Sequence, residues 1–335
     1  MFTAHWTRNI EIINVGLIAA SAVTAILWPF ETLLLAYAVL GPLHYLTEIS
    51  WLHDRRYFLP RKGDLAPIVI VGIMLIIIAS TVATSRKSDF QRAMECATLF
   101  SIFAFAFVMV TIRNWPQRLA GLALLIPACW IIARYAPFSV SLSAYLPTII
   151  HVYVFTGLFM LLGCLRKPSR SNAGALLAFI AFPLVCWLIP LGASTAASDW
   201  ARESYVATLG AVNRVVLRDM ELDLERGAIL DHPISILVTR VLGFAYLYHY
   251  LNWFSKVEII GWARISPARS LVILALWIGA VALYFYNYVV GFAILLMLSF
   301  MHVLLEFPLN HLSIRQIGGH LRSRILKDSP ANGVH

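Results

Sequence analysis

The chain has 335 residues, 60% of them hydrophobic and 13% charged, with a mean hydropathy of +0.78. A soluble domain carries about 25% charged residues, so a water-soluble globule is excluded. Lys and Arg number 26 against 17 Asp and Glu, a net charge of +9; in so apolar a chain that excess reports orientation across a membrane, and no nucleic-acid partner is expected.

Apolar runs of about 18 or more residues can each cross a hydrocarbon core roughly 30 Å thick. They predict ten helices, near 10–28, 31–49, 66–84, 93–112, 117–135, 143–164, 173–192, 233–254, 269–287 and 290–308. The expected fold is all-α, a polytopic transmembrane bundle forming a single domain over residues 1–335. The first run stays apolar through Trp28 and reads as an uncleaved anchor. Ten spans put both termini on one side, and that side collects 17 of the 26 basic residues against 8 on the other, while Arg240 falls inside a span without an assigned role. The positive-inside rule then makes both termini cytoplasmic, in a bacterial-type inner (plasma) membrane. The long connection at 193–232 lies outside, and its segment 204–224 carries Val206, Leu209, Val212, Val215 and Val216 at helical spacing. It is expected to form an amphipathic helix on the surface or packed on the bundle. Cys96, Cys129, Cys164 and Cys186 lie inside apolar runs without CxxC spacing and read as small buried hydrophobes. The chain has no glycine-rich phosphate loop, dinucleotide fingerprint or GxSxG elbow.

Ionisable groups are costly inside a membrane, so each one asks for a partner or a task. His44, His151, His249 and His302 sit well inside the second, sixth, eighth and tenth runs. At about 1.5 Å per residue all four fall near the middle of the bilayer. Glu48 follows His44 by four residues and Glu306 follows His302 by four, which puts each pair on one helix face. Both motifs continue to a second histidine five residues on, His53 and His311. Nine residues along a straight helix point the other way, so these two are rim ligands only where the helix breaks, as Pro308 would allow in the second motif. His249 lies in the aromatic segment from Tyr246 to Phe254, with Asn252 near its face as an orienting partner.

Imidazoles with carboxylates in an apolar bundle suit a transition metal, and open His/carboxylate sites are the usual platform for non-haem iron and O₂. His44, His151, His249 and His302 are therefore expected to bind metal, Fe(II) before other transition metals. Glu48 and Glu306 would be catalytic carboxylates that ligate the ion or orient the imidazoles. The substrate is expected to be lipophilic, entering from the membrane lipid along an apolar channel lined by residues such as Phe103, Phe105, Phe155 and Phe300. Two other readings stay open: a haem held by two of the histidines in an electron carrier, and a proton- or ion-coupled transporter using the same groups.

The segment Gly41-Pro42-Leu43-His44-Tyr45-Leu46-Thr47-Glu48 resembles the Pro-His-Gly-x-x-Asp signature of the bacterial membrane β-carotene-cleaving dioxygenases, the bacteriorhodopsin-related-protein family. Phe244-Ala245-Tyr246-Leu247-Tyr248-His249 is similar to that family's later aromatic helix with histidine. Here one extra residue separates Pro42 from His44, Tyr45 replaces the Gly, and Glu48 stands for the Asp one position further on. The resemblance implies a polytopic fold, an O₂-using enzyme of the dioxygenase kind, and His44 and His249 as iron ligands.

Overall fold

The computed structural model describes residues 2–59, 61–66, 69–70, 89–136, 138–189, 197–222 and 229–328. The expected third run at 66–84 and the stretches 190–196 and 223–228 of the long connection lie wholly or largely outside them. Every regular element among the described residues is helical: α1 (Phe2–Leu27), α2 (Pro29–Asp54), α3 (Asp89–Thr111), α4 (Trp115–Tyr135), α5 (139–166), α6 (Arg170–Leu188), the short α7 (Asp199–Ala207) and α8 (Gly210–Asp219), α9 (Pro233–Ser255), α10 (Pro267–Tyr286) and α11 (Tyr288–Asp328). Eight of them, α2 to α6 and α9 to α11, are long and apolar enough to cross a membrane, and the apolar stretch of α1, Glu11–Leu27, is shorter. Leu124, Leu177, Leu188, Leu271 and Phe285 point outward, 67–72% exposed, an exterior that water would not tolerate and that hydrocarbon would.

Helix starts follow local chemistry. Pro29, Pro233 and Pro267 occupy first-turn positions, where a missing N–H costs nothing. The hydroxyls of Ser169, Ser198 and Ser266 accept from first-turn amides of α6, α7 and α10. Burial then separates inner from outer helices. Two-thirds of the apolar window of α2 and of α9 is buried (67% each), against 17% for α4 and α10, so α2 and α9 form the centre and α5 and α11 close around them. Buried Arg118 at the start of α4 holds buried Asp64 through two bonds of 2.7 and 2.9 Å and donates to the Met109 and Ile112 carbonyls. This network ties the connection after α2 to the α3–α4 hairpin.

Both α2 and α5 widen into π turns, at Ala36–Leu40 and Leu146–Phe155. Each lies beside a proline, Pro42 and Pro147, whose ring displaces the preceding turn and removes a hydrogen bond. The amphipathic segment expected at 204–224 is two helices instead of one. The chain turns at Thr208 and Leu209, and a Cβ on Gly210 would stand 3.0 Å from the Tyr205 carbonyl, an approach only glycine makes easily. Ala201, Tyr205, Val212 and Leu217 are buried against the bundle. Cys96, Cys129 and Cys186 are buried free thiols, whereas Cys164 is half-buried.

Candidate metal centre

Four helices each deliver one imidazole to the same point. His44 of α2, His151 of α5 and His302 of α11 are 1–2% exposed and His249 of α9 is 9% exposed; Glu48 and Glu306 are both 2% exposed. Nε2 of His249 lies 3.1 Å from Nε2 of His44, and Nε2 of His151 lies 3.3 Å from Nε2 of His302. Ring centroids of the neighbouring imidazoles are 4.7 to 5.5 Å apart.

The two carboxylates approach different sides of their imidazoles. Glu48 Oε2 reaches Nε2 of His44 at 3.0 Å, the side shared with His249. Glu306 Oε2 stands 3.4 Å from Nδ1 of His151, on the next helix, whereas the helical spacing had pointed it at His302. Neither oxygen has a hydrogen-bond partner, and the Nδ1 atoms of His44, His151 and His302 have none either. Two buried carboxylate oxygens without a donor ask for a cation.

The distances fit one. Metal–nitrogen bonds of about 2.0–2.1 Å put neighbouring ligand atoms about 3.0 Å apart at right angles and about 3.4 Å apart in a tetrahedron. Three separations on the Nε2 side of the rings fall in that interval: His44 to His249, His151 to His302, and Glu48 to His44. His44, Glu48 and His302 can each present a ligand atom so that all three lie within 4.8 Å of one another, a two-histidine, one-carboxylate set.

Several contributors were not visible in the spacing of polar residues. The Thr156 hydroxyl meets Nδ1 of His249 at 2.8 Å. This bond fixes the His249 ring, and a metal on Nε2 would leave the ring proton on Nδ1, donated to Thr156. Thr156 follows His151 by five residues, and the π turn with its i→i+5 bonding brings the two near one face. The Tyr45 ring stacks on His302 with centroids 4.2 Å apart and planes at 23°, and its hydroxyl bonds that of Tyr250 at 2.8 Å. Trp253 Nε1 donates to the Thr47 hydroxyl at 3.0 Å while the indole meets His44 edge-on at 5.5 Å. Trp253 lies four residues after His249, so helix phase alone could have found it.

His53 and His311 stay out of the cluster. His53 is exposed and faces the Tyr57 hydroxyl at 3.4 Å. The break expected at Pro308 does not occur: α11 runs through it to Asp328, because a transmembrane helix with packed neighbours tolerates the lost bond. His311 therefore points away and packs on Phe103 and Phe107. Arg240 is buried at 2% exposure with Nε and Nη1 unpartnered, and nothing among the described residues explains the charge.

A cavity of about 600 Å³ opens onto the cluster, with His44, Glu48, His249 and Glu306 on its floor. Asn252 lines it beside His249, its buried Oδ1 unpartnered. The wall is not the expected set of Phe103, Phe105, Phe155 and Phe300. Phe103, Phe105 and Phe155 pack into interhelical clusters, and Trp51, Phe58, Phe159 and Met160 face the space instead. Among the described residues the cavity reaches the cluster from one end of the bundle, the end holding the start of α1 and the last turns of α2, α5 and α9. No family model, characterised protein or solved structure matches the chain.

Proposed function

We propose that this protein is an intramembrane metalloenzyme, a non-haem iron oxygenase that uses O₂ on a lipophilic substrate. The observation that carries the reading is the convergence of His44, Glu48 and His302, with ligand atoms within 4.8 Å of one another in a buried site, and the imidazoles of His151 and His249 against them. Two histidines and one carboxylate are the donor set of non-haem Fe(II) oxygenases. The similarity of the segments around His44 and His249 to the bacterial membrane β-carotene-cleaving dioxygenases points the same way. Ten spans with both termini in the cytoplasm complete the proposal, and the cavity mouth is then cytoplasmic.

Fe(II) held there supplies one-electron chemistry toward O₂ that no side chain of this protein offers. The chain's own groups have separate tasks. Glu48 offsets the charge of the ion from the Nε2 side of His44, where low polarity would otherwise make a cation prohibitive. Thr156 bonds Nδ1 of His249 and orients that imidazole, while Glu306, 3.4 Å from Nδ1 of His151, places a second negative charge beside the cluster. Tyr45 holds the ring plane of His302 by stacking. The aromatic wall keeps bulk water from the floor of the cavity.

The packing favours a bare ion over haem, since a macrocycle would have to pry apart four imidazoles whose centroids lie 4.7 to 5.5 Å from one another. Elemental analysis and a visible spectrum of detergent-purified protein test the reading. Stoichiometric iron without a Soret band is expected, and His44→Ala and His302→Ala should each lose it while the protein still inserts. Full iron retention in both variants overturns the ligand assignment, and a Soret band overturns the non-haem reading.

A further inference from the structure

The cavity changes character along its length. Its floor holds the carboxylates and imidazoles, its middle is walled by Trp51, Phe159, Met160 and Leu309, and its mouth carries Arg166, Lys167 and Lys256 against a single carboxylate, Glu11. Positive-inside topology accounts for Arg166 and Lys167, which sit exposed at the end of α5, and Arg166 also bonds Gln316 across the mouth. It does not account for Lys256. That side chain is half-buried inside the cavity and forms no ion pair among the described residues. Burial lowers its ammonium to about 8.

The backbone holds this mouth in a costly shape. Arg56, Tyr57 and Phe58 take φ of 53°, 53° and 56°, a left-handed turn that costs L-residues roughly 1–2 kcal/mol each. The turn brings Phe58 to the cavity wall. Such strain concentrates where a ligand is clamped.

We infer that the site takes a single-chain amphiphile with an anionic head group, a carboxylate or a phosphate, held by Lys256 and Lys167 while its apolar tail runs down to the cluster. The volume lies within the roughly 300–1,000 Å³ typical of small-molecule sites. Lys256 follows His249 by seven residues on nearly continuous helix, and Arg166 follows Thr156 by ten, so the head group stands about 10–15 Å from the imidazoles. The reacting carbon is then far down the tail, and the cationic mouth sets which carbon that is. This inference takes the cluster as the reacting end and so rests on the function proposed above.

Trp51 and Trp253 both line the cavity and report its occupancy. The protein, in nanodiscs of neutral phosphatidylcholine, is titrated with ω-bromododecanoate, ω-bromododecyl phosphate and the neutral ω-bromododecanol, and bromine quenching of tryptophan is followed. Saturable quenching, displaced by unbrominated dodecanoate, is expected to be at least about tenfold tighter for an anion than for the alcohol. The carboxylate and phosphate arms decide between the two head groups. That advantage should vanish in Lys256→Gln/Lys167→Gln and survive in Arg315→Ala, an exposed charge of α11 outside the cavity. Equal affinity for anion and alcohol overturns the inference, as does a preference that the double variant keeps or that Arg315→Ala also loses. Iron is measured in the same samples, and both variants should retain it. Iron-loaded protein without anion preference refutes the substrate class alone, whereas anion preference in folded, iron-free protein refutes the metalloenzyme and leaves the amphiphile site standing.

Discussion

Gly41 stands where the π turn of α2 gives way to α-helix, and its missing side chain lets two tyrosine hydroxyls meet. A Cβ there would lie 3.0 Å from the Tyr45 hydroxyl and 3.3 Å from that of Tyr250, which bond each other at 2.8 Å in a buried setting. Gly41→Ala gains about 1 kcal/mol of helix propensity. Against that stand about 1–3 kcal/mol for hydroxyls left unpaired and about 1–3 kcal/mol of overpacking, for a net loss of about 1–5 kcal/mol. Because Tyr45 stacks on His302 at 4.2 Å, the displaced ring should also weaken iron retention. Tyr45→Phe removes the nearest obstacle and the hydrogen bond together. The double variant Gly41→Ala/Tyr45→Phe should therefore lose less than the sum of the single losses, by at least about 1 kcal/mol. Unfolding in mixed micelles, followed by circular dichroism, measures all three variants against the parent protein. Additive losses, or a Gly41→Ala protein as stable as the parent, would refute the reasoning.

Asp64→Ala leaves the Arg118 guanidinium buried without its carboxylate, at an expected cost of about 3–5 kcal/mol, while Asp64→Leu/Arg118→Met should recover most of it; the same unfolding measurement checks both, and a silent Asp64→Ala contradicts the network's role. Thr156→Val keeps the side-chain shape and removes the oxygen 2.8 Å from Nδ1 of His249. Iron affinity, read by competition with a chelator, should fall about 10–100-fold with unfolding little changed, and an unaltered affinity would show that Thr156 does not orient the ring.

Much of the architecture was legible from the chain. A run of apolar residues in lipid can satisfy its backbone only as a helix or a closed barrel, so eight of the ten expected runs coincide with the eight candidate spans, most within a few residues. The extra length of α11 beyond 308 is the clearest difference, because its last turns carry polar residues and leave no hydropathy signal. Helix phase made the pairing of His44 with Glu48 legible too, since four residues return to one face whatever surrounds them. The same rule misled for Glu306, which reaches across to His151; for His311 it held, because the break expected at Pro308 does not occur and a continuous helix keeps that ring on the opposite face.

The sequence by itself therefore determined that the chain is all helix, where most spans lie, and that four histidines sit at similar depth. Only the tertiary structure decided which helices adjoin, that His44 meets His249 and His151 meets His302, and that the cavity ends at Lys256. Hydropathy separates lipid from water and sets depth. The lateral arrangement of helices comes from side-chain packing and interhelical hydrogen bonds, for which an apolar run carries almost no pattern, and the π turns that aim His151 and Thr156 arise from those same contacts together with nearby prolines.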